Sequence, residues 1–200
     1  MESLTRHYSA AFRKWTRPAI LDLCASHVSH FPPDIASFAG RRVALGMNGV
    51  ELKSNLQVDE FVAQDLNAMP TLPFEDNSFD IVTNCVSIDY ITQPVAICKE
   101  ISRVLKPGGC AIFSLSNRCF PSKAVNIWLR TNDLEHVYVV GAYFHYASGF
   151  QPAVAEEISH NREQSSWRSG SSQNNAYLCV VSAHVDNNES KPNDTSKIIK

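Results

Sequence analysis

The stretch from Phe74 to Val82 (FEDNSFDIV), followed about twenty residues later by Glu100 to Gly109 (EISRVLKPGG), leaves this chain few folds to choose from. The first stretch is a polar turn that runs into an apolar strand. The second is the end of an amphipathic helix, then a Pro-Gly-Gly turn, then the entry to another apolar strand. Turn, buried strand, helix, turn, buried strand is the repeat of an open α/β sheet. Phe79 to Cys85 is apolar on both faces, as a strand covered by helices on both sides must be. A helix between two such strands favours parallel pairing through a right-handed crossover.

The same reading extends outward. Met1 to Arg17 is basic and amphipathic, with Leu4, Tyr8, Ala11, Phe12 and Trp15 at helical spacing, and reads as a docking helix; an organelle-targeting peptide is the alternative. Strands are expected at Ala19 to Leu23, Arg42 to Gly46, Phe61 to Gln64, Phe79 to Cys85 and Cys110 to Leu115, with a short helix from Val50. Thr92 is placed to cap the next helix and Pro94 to occupy its first turn, with Val95, Cys98, Ile101 and Leu105 along the apolar stripe. Helices from Ser122 to Arg130 and from Leu134 to Tyr146 follow. Pro152 to Ile158 and Ala176 to Ser182 read as a closing pair of strands, separated by a polar loop from Asn161 to Asn175. Residues 1–182 are expected to form a single domain, and 183–200 a hydrophilic disordered tail. The architecture is a doubly wound, mostly parallel Rossmann-like sheet of about seven strands with an antiparallel closing strand.

Composition narrows the function. A chain of 200 residues fills one core, and a net charge of −2 with scattered basic residues lacks the electrostatic stripe of a dedicated nucleic-acid binder. No run approaches the roughly 20 apolar residues that cross a bilayer, so no membrane partner is expected. The six cysteines show no metal-ligand spacing, which points to buried thiols in a reducing compartment: the cytoplasm, or a plastid or other organelle. No metal is expected. Without a Gly-x-Gly-x-x-Gly, a pyrophosphate-bearing dinucleotide has no seat.

In that order and in those residues, PFEDNSFD together with RVLKPGG closely resembles the central part of class I S-adenosylmethionine-dependent methyltransferases. The likeness covers roughly Ala19 to Ser182 and is strongest from Asp65 to Phe113. It looks most like the small-molecule branch called type 11, in particular plant and algal members whose first loop reads Asp-Leu-Cys-x-Ser. The resemblance implies methyl transfer from S-adenosyl-L-methionine to a small-molecule acceptor, or a catalytically inactive descendant that keeps the scaffold as a binding module.

Ligands of such sheets bind beyond the carboxyl ends of the strands. The resemblance therefore assigns cofactor contacts to Asp22, Cys24 and Ser26 after the first strand, Met47 and Asn48 after the second, Asp65 and Leu66 after the third, and Asn84 and Val86 at the fourth. Cys24, Ser26 and Val28 stand where the family has glycines. Asn48 stands where it commonly has an acid for the ribose hydroxyls, and Asp65 where it presents an acid to the adenine amino group. A left-handed backbone at a lost glycine is expected to cost about 1 kcal/mol or more. Ser26, His27, Ser29 and His30 form a second polar set in the same loop. No catalytic residue is assigned; Asn84, Ser87, Asp89, Tyr90, His136, Tyr143, His145 and Tyr146 are the candidates, the last four on helices expected to roof the pocket.

Overall fold

The computed structural model describes residues 1–159 and 178–186. Its centre is a seven-stranded sheet in the order β3-β2-β1-β4-β5-β7-β6. Strands β1 (Ala19–Leu23), β2 (Arg41–Gly46), β3 (Glu60–Ala63), β4 (Phe79–Cys85) and β5 (Leu105–Ser116) run parallel. β7 (Leu178–His184) is antiparallel to β5, and β6 (Val154–Glu157) is antiparallel to β7 at the outer edge. The expected doubly wound sheet with an antiparallel closing strand is thus what the chain adopts. β7 runs to His184 and Val185 bridges Phe150, beyond the expected end of ordered structure at residue 182. The loop from Asn161 to Asn175 and the tail from 187 onward lie outside the described residues.

The two faces are covered by different means. On one, α1 (Glu2–Phe12) buries Leu4, Tyr8 and Phe12 completely. Tyr8 stacks on Phe12 at 5.0 Å and Phe31 meets both edge-on, a three-ring wedge over Ile20, Ile81 and Ile112. On the other face, α4 (Pro94–Val104) and α6 (Asp133–Ala147) lie together, bringing Ile97, Cys98 and Ile101 against the same core as Val140 and Phe144. Asn132 and Glu135 form a reciprocal capping box that starts α6.

The two signature segments prove to be one interlocked unit. The Arg103 guanidinium donates to the carbonyls of Leu72 (2.9 Å) and Phe74 (2.8 Å) and to Asp76 and Glu100. Glu100 in turn accepts from the Leu72 N–H (2.8 Å), and the Arg103 hydrogen bond holds its carboxyl below the usual range. Lys106 pairs with Asp80 at 2.8 Å, and Asp80 also accepts from the first N–H of β1. A buried carbonyl left without a partner costs about 1–3 kcal/mol, so these residues hold the turn before β4 onto the helix after it.

Some expectations shift locally. α4 begins after Gln93, with Pro94 in its first turn; Thr92 instead donates to Asn67 Oδ1 (3.0 Å), because the turn after β3 reaches it first. The helix expected from Ser122 to Arg130 contracts to α5 (Asn126–Leu129), since the Val125 N–H is committed to the Asp89 carbonyl. Two further short helices are α2 (Ile35–Phe38) and α3 (Gly49–Lys53). All six cysteines are free thiols, no group of described residues is arranged to hold a metal, and no described helix is long and apolar enough to cross a membrane.

Candidate functional site

The strand order reverses between β1 and β4: from β1 the sheet proceeds to β2 and β3 on one side, and from β4 to β5 on the other. In sheets of this kind the loops leaving such strands diverge, so the carboxyl ends of β1 and β4 are where a ligand crevice is expected. Cys24, the first residue beyond β1, has φ of +56°, the left-handed backbone that glycine adopts most readily. Its thiol is pushed up to about 12 by burial, with the Asn84 side chain hydrogen-bonded to it as an opposing effect. The carboxylates of Asp22, Asp89 and Asp65 all raise it further, so groups from β1, from the loop after β4 and from the loop after β3 lie within electrostatic reach of this thiol.

These three acids have distinct settings. Asp22 is fully buried, accepts from Thr83 Oγ1 at 2.7 Å across the β1–β4 pair, and is pushed up to about 7 by its burial. It braces two strands. Asp89, also buried, is raised to about 6 by loss of solvent. Asp65 is only half-buried; its Oδ1 accepts from the Asn67 N–H (2.9 Å), and Leu66 beside it is buried. Asn67 then donates to the Tyr90 carbonyl (2.9 Å) and joins the loops after β3 and β4 into one wall. At the end of β4, Val86 has φ of +41° and sends its N–H to Ser114 of β5 (3.1 Å to the carbonyl).

The β2 side is built differently. Asn48 lies two residues beyond β2 and its Oδ1 accepts from the N–H groups of Val50 (3.0 Å) and Glu51 (3.4 Å), capping α3. The last residue of β2 is Gly46, and a Cβ there would stand 2.2 Å from the Ala25 carbonyl oxygen. The Ala25 N–H meanwhile donates to the Leu45 carbonyl, so the loop after β1 lies directly on the end of β2. Met47 points to solvent. Glu51 is drawn back toward this loop by Asn48 Nδ2 (2.8 Å) and by the Ser26 hydroxyl.

Asn55 and Gln57, which sequence reasoning missed, pin the rest of the loop. Asn55 Nδ2 donates to the Ser26 carbonyl (3.0 Å) and Ser29 Oγ (2.9 Å), while Gln57 accepts from the Ser29 N–H and donates to the Phe31 carbonyl. Ser26, His27, Ser29 and His30 are therefore not brought together as one set: Ser29 is fully buried under Asn55, and the His30 carbonyl is bonded to Thr5.

Of the other candidates, Ser87 donates to the Cys85 carbonyl, and Tyr90 OH accepts from the Phe120 N–H (3.0 Å) at the crevice mouth. His136 is buried, stacked on Trp128 at 3.8 Å and bonded to its carbonyl, a joint between α5 and α6. α6 does not roof the crevice. It runs down the sheet face so that Gly149, just past its end, touches Ser102 near the end of α4. Tyr143, His145 and Tyr146 are thereby carried toward the opposite rim. A cavity of about 800 Å³ also lies away from the strand ends, between α1 and the β6–β7 edge, lined by His7, Lys14, Trp15, Glu156 and His184. None of the residues around Cys24 lines it.

A family model described as a methyltransferase domain matches residues 44–113. Over 85 residues the chain is 31% identical to a malonyl-[acyl-carrier protein] O-methyltransferase of Marinomonas sp., covering 42% of this chain and 30% of that one. It is 37% identical over 75 residues to a demethylmenaquinone methyltransferase of Staphylococcus carnosus, covering 38% and 29%. The chain thus spans about a third of the length of the curated relatives it matches. Among solved structures, an S-adenosylmethionine-dependent methyltransferase from Mesorhizobium loti superposes with a TM-score of 0.63 at 15% identity, over 91% of this chain and 97% of that one. The [4+2]-cyclase SpnF gives 0.65 at 15% identity, over 93% and 82%. A Haemonchus contortus phosphoethanolamine N-methyltransferase in complex with S-adenosyl-L-methionine gives 0.59 at 17%, over 91% and 52%. Residues 44–113 thus match a methyltransferase domain, and the chain as a whole shares the fold of solved S-adenosylmethionine-dependent methyltransferases.

Proposed function

We propose that this chain binds S-adenosyl-L-methionine at the crevice beyond β1, β3 and β4 and transfers its methyl group to a small organic acceptor. The observation that carries the reading is that Asp65 and Asp89 lie within electrostatic reach of Cys24 at the reversal of strand order. Carboxylate-lined ground with little solvent favours a cation, and a sulfonium is one. When bound, the sulfonium supplies an activated methyl group, so the protein's part is alignment and exclusion of water.

The residues fit the group unevenly. On the adenine side Asp65 has a carboxylate oxygen beyond the one that accepts from Asn67, and Leu66 offers an apolar surface beside it. At the turn after β1, Cys24 keeps the left-handed backbone that lets a loop pass close to a ligand, and Ser26 and Asn84 lie in its immediate neighbourhood. On the ribose side the chain departs from pattern: Gly46 has no side chain and Asn48 spends its oxygen on the helix cap. Met47 and Val86 frame the opening. A small organic acceptor is supported by the likeness to relatives that bear the names of malonyl-[acyl-carrier protein], demethylmenaquinone and sterol methyltransferases.

Isothermal titration with S-adenosylmethionine and S-adenosylhomocysteine tests the reading, and Asp65→Ala is expected to weaken binding by about 1–3 kcal/mol, the scale of a lost charge-assisted hydrogen bond. Unchanged affinity in the folded variant removes Asp65 from the site. A second reading, a non-catalytic module, draws its support from the contact of Ala25 with Gly46; absence of heat at millimolar cofactor selects it.

A further inference from the structure

The carboxyl end of the sheet carries an unusual surface. Met47 directly follows β2, Val50 sits in the first turn of α3, and Met69 closes the turn after β3. On the other flank Phe120 follows β5, and Ile127 and Leu129 lie on α5, which is tied to the crevice mouth through Val125 N–H to the Asp89 carbonyl. β2, β3 and β5 are parallel members of one sheet, so these six side chains gather at one end of the molecule, on both sides of the crevice. They are between 46% and 82% exposed, which for large apolar residues grouped on one end marks an interaction surface.

The charges beside them indicate what meets this surface. Arg118, Lys123 and Arg130 are exposed around Phe120, Ile127 and Leu129, and none is ion-paired with a described residue. Lys123 stands 5.7 Å over the Phe120 ring, its charge directed along the same surface. The nearby acids are engaged or partly withdrawn: Glu135 Oε2 accepts from the Asn132 N–H in the cap of α6, Glu51 is held by Asn48 and Ser26, Asp133 is half-buried, and Asp89 is buried. An end that offers bulky apolar side chains interleaved with unpaired cations, its acids hydrogen-bonded to protein groups or at least half-buried, is complementary to a negatively charged lipid headgroup layer.

We propose that this end of the molecule docks reversibly on an anionic bilayer, with Phe120, Ile127 and Leu129 entering the headgroup boundary and Arg118, Lys123 and Arg130 meeting lipid phosphates. The crevice mouth then faces the lipid, from which a lipophilic molecule reaches it without crossing water. Docking itself is independent of which methyl donor the crevice holds.

Co-sedimentation of the full chain with phosphatidylcholine vesicles, with and without phosphatidylglycerol, tests the proposal. The wild-type chain is expected to pellet with the anionic vesicles and much less with the neutral ones. The Lys123→Glu/Arg130→Glu variant loses at least about fivefold in partitioning for each cation removed. Phe120→Ser/Ile127→Ser, at positions too exposed to support the core, loses about tenfold or more. A wild-type chain that stays in the supernatant with both vesicle types overturns the proposal. So does binding that survives in both variants, or a dimer seen by light scattering that the serine variant dissolves, which assigns the surface to a second copy.

Discussion

The β4–α4–β5 half of the sheet and the β1–β2 half meet the same requirement, a loop held close above a strand end, by opposite means. In the first, long charged side chains do the holding: Arg103 and Glu100 reach back from α4 to the backbone of Leu72 and Phe74, and Lys106 reaches Asp80. In the second, the backbone does it. The Ala25 carbonyl rests where a side chain of residue 46 would be, and Cys24 accepts a left-handed conformation so that it can. The close approach of the β1 loop thus depends on one glycine at the end of β2.

The sharpest way to break this comparison is to put a side chain at the end of β2. Gly46→Asp sets a Cβ against the Ala25 oxygen and is expected to cost about 4 kcal/mol in urea-induced unfolding. A variant as stable as the parent means that the β1 loop moves aside freely, and the contrast between the halves dissolves. The pH dependence of stability probes the same half. Asp22 is raised from 3.8 to about 7 in the fold, and Asp89 from 3.8 to about 6, both by burial. The folded chain therefore keeps protons that the unfolded chain releases, so stability falls as pH rises from about 4 to about 7 and levels off above. Asp22→Asn removes its share of that slope, leaving the variant about 4 kcal/mol better off relative to wild type at pH 8 than at pH 4 in denaturant titrations. A parallel pair of curves sinks the assignment. In the other half, Arg103→Met strips two carbonyls and Glu100 of their partner and is expected to cost about 2 kcal/mol, without the pH signature of Asp22.

How much of this was legible in the sequence follows the same division. The succession of strands and helices follows from apolar periodicity and turn chemistry, which are local properties, and the motif pair was readable because Arg103, Glu100 and Asp80 are themselves part of the pattern. The loop after β1 was legible only as a substitution of Cys24 for glycine. Its anchors, Asn55 and Gln57, are single amides in a polar stretch after α3 with no period to mark them. Tyr143, His145 and Tyr146 were expected above the crevice because a helix was expected to cross it; the pairing of α6 with α4 turns it down the sheet face instead. The apolar surface at the carboxyl end escaped for a related reason. A search for membrane contact by continuous apolar runs is blind to residues 47, 50, 69, 120, 127 and 129, which meet only after folding.

The wedge of Tyr8, Phe12 and Phe31 has a bearing on how the amino terminus is handled. Leu4, Tyr8 and Phe12 have no solvent contact at all, and beneath them lie Ile20, Ile81 and Ile112. Trimming away the opening dozen residues, by a processing protease or in the design of an expression clone, would leave the middle of the sheet greasy and wet on one side, a state prone to clumping. Those residues belong to the foundation of the molecule, and any label attached ahead of them needs a spacer long enough to let the helix seat.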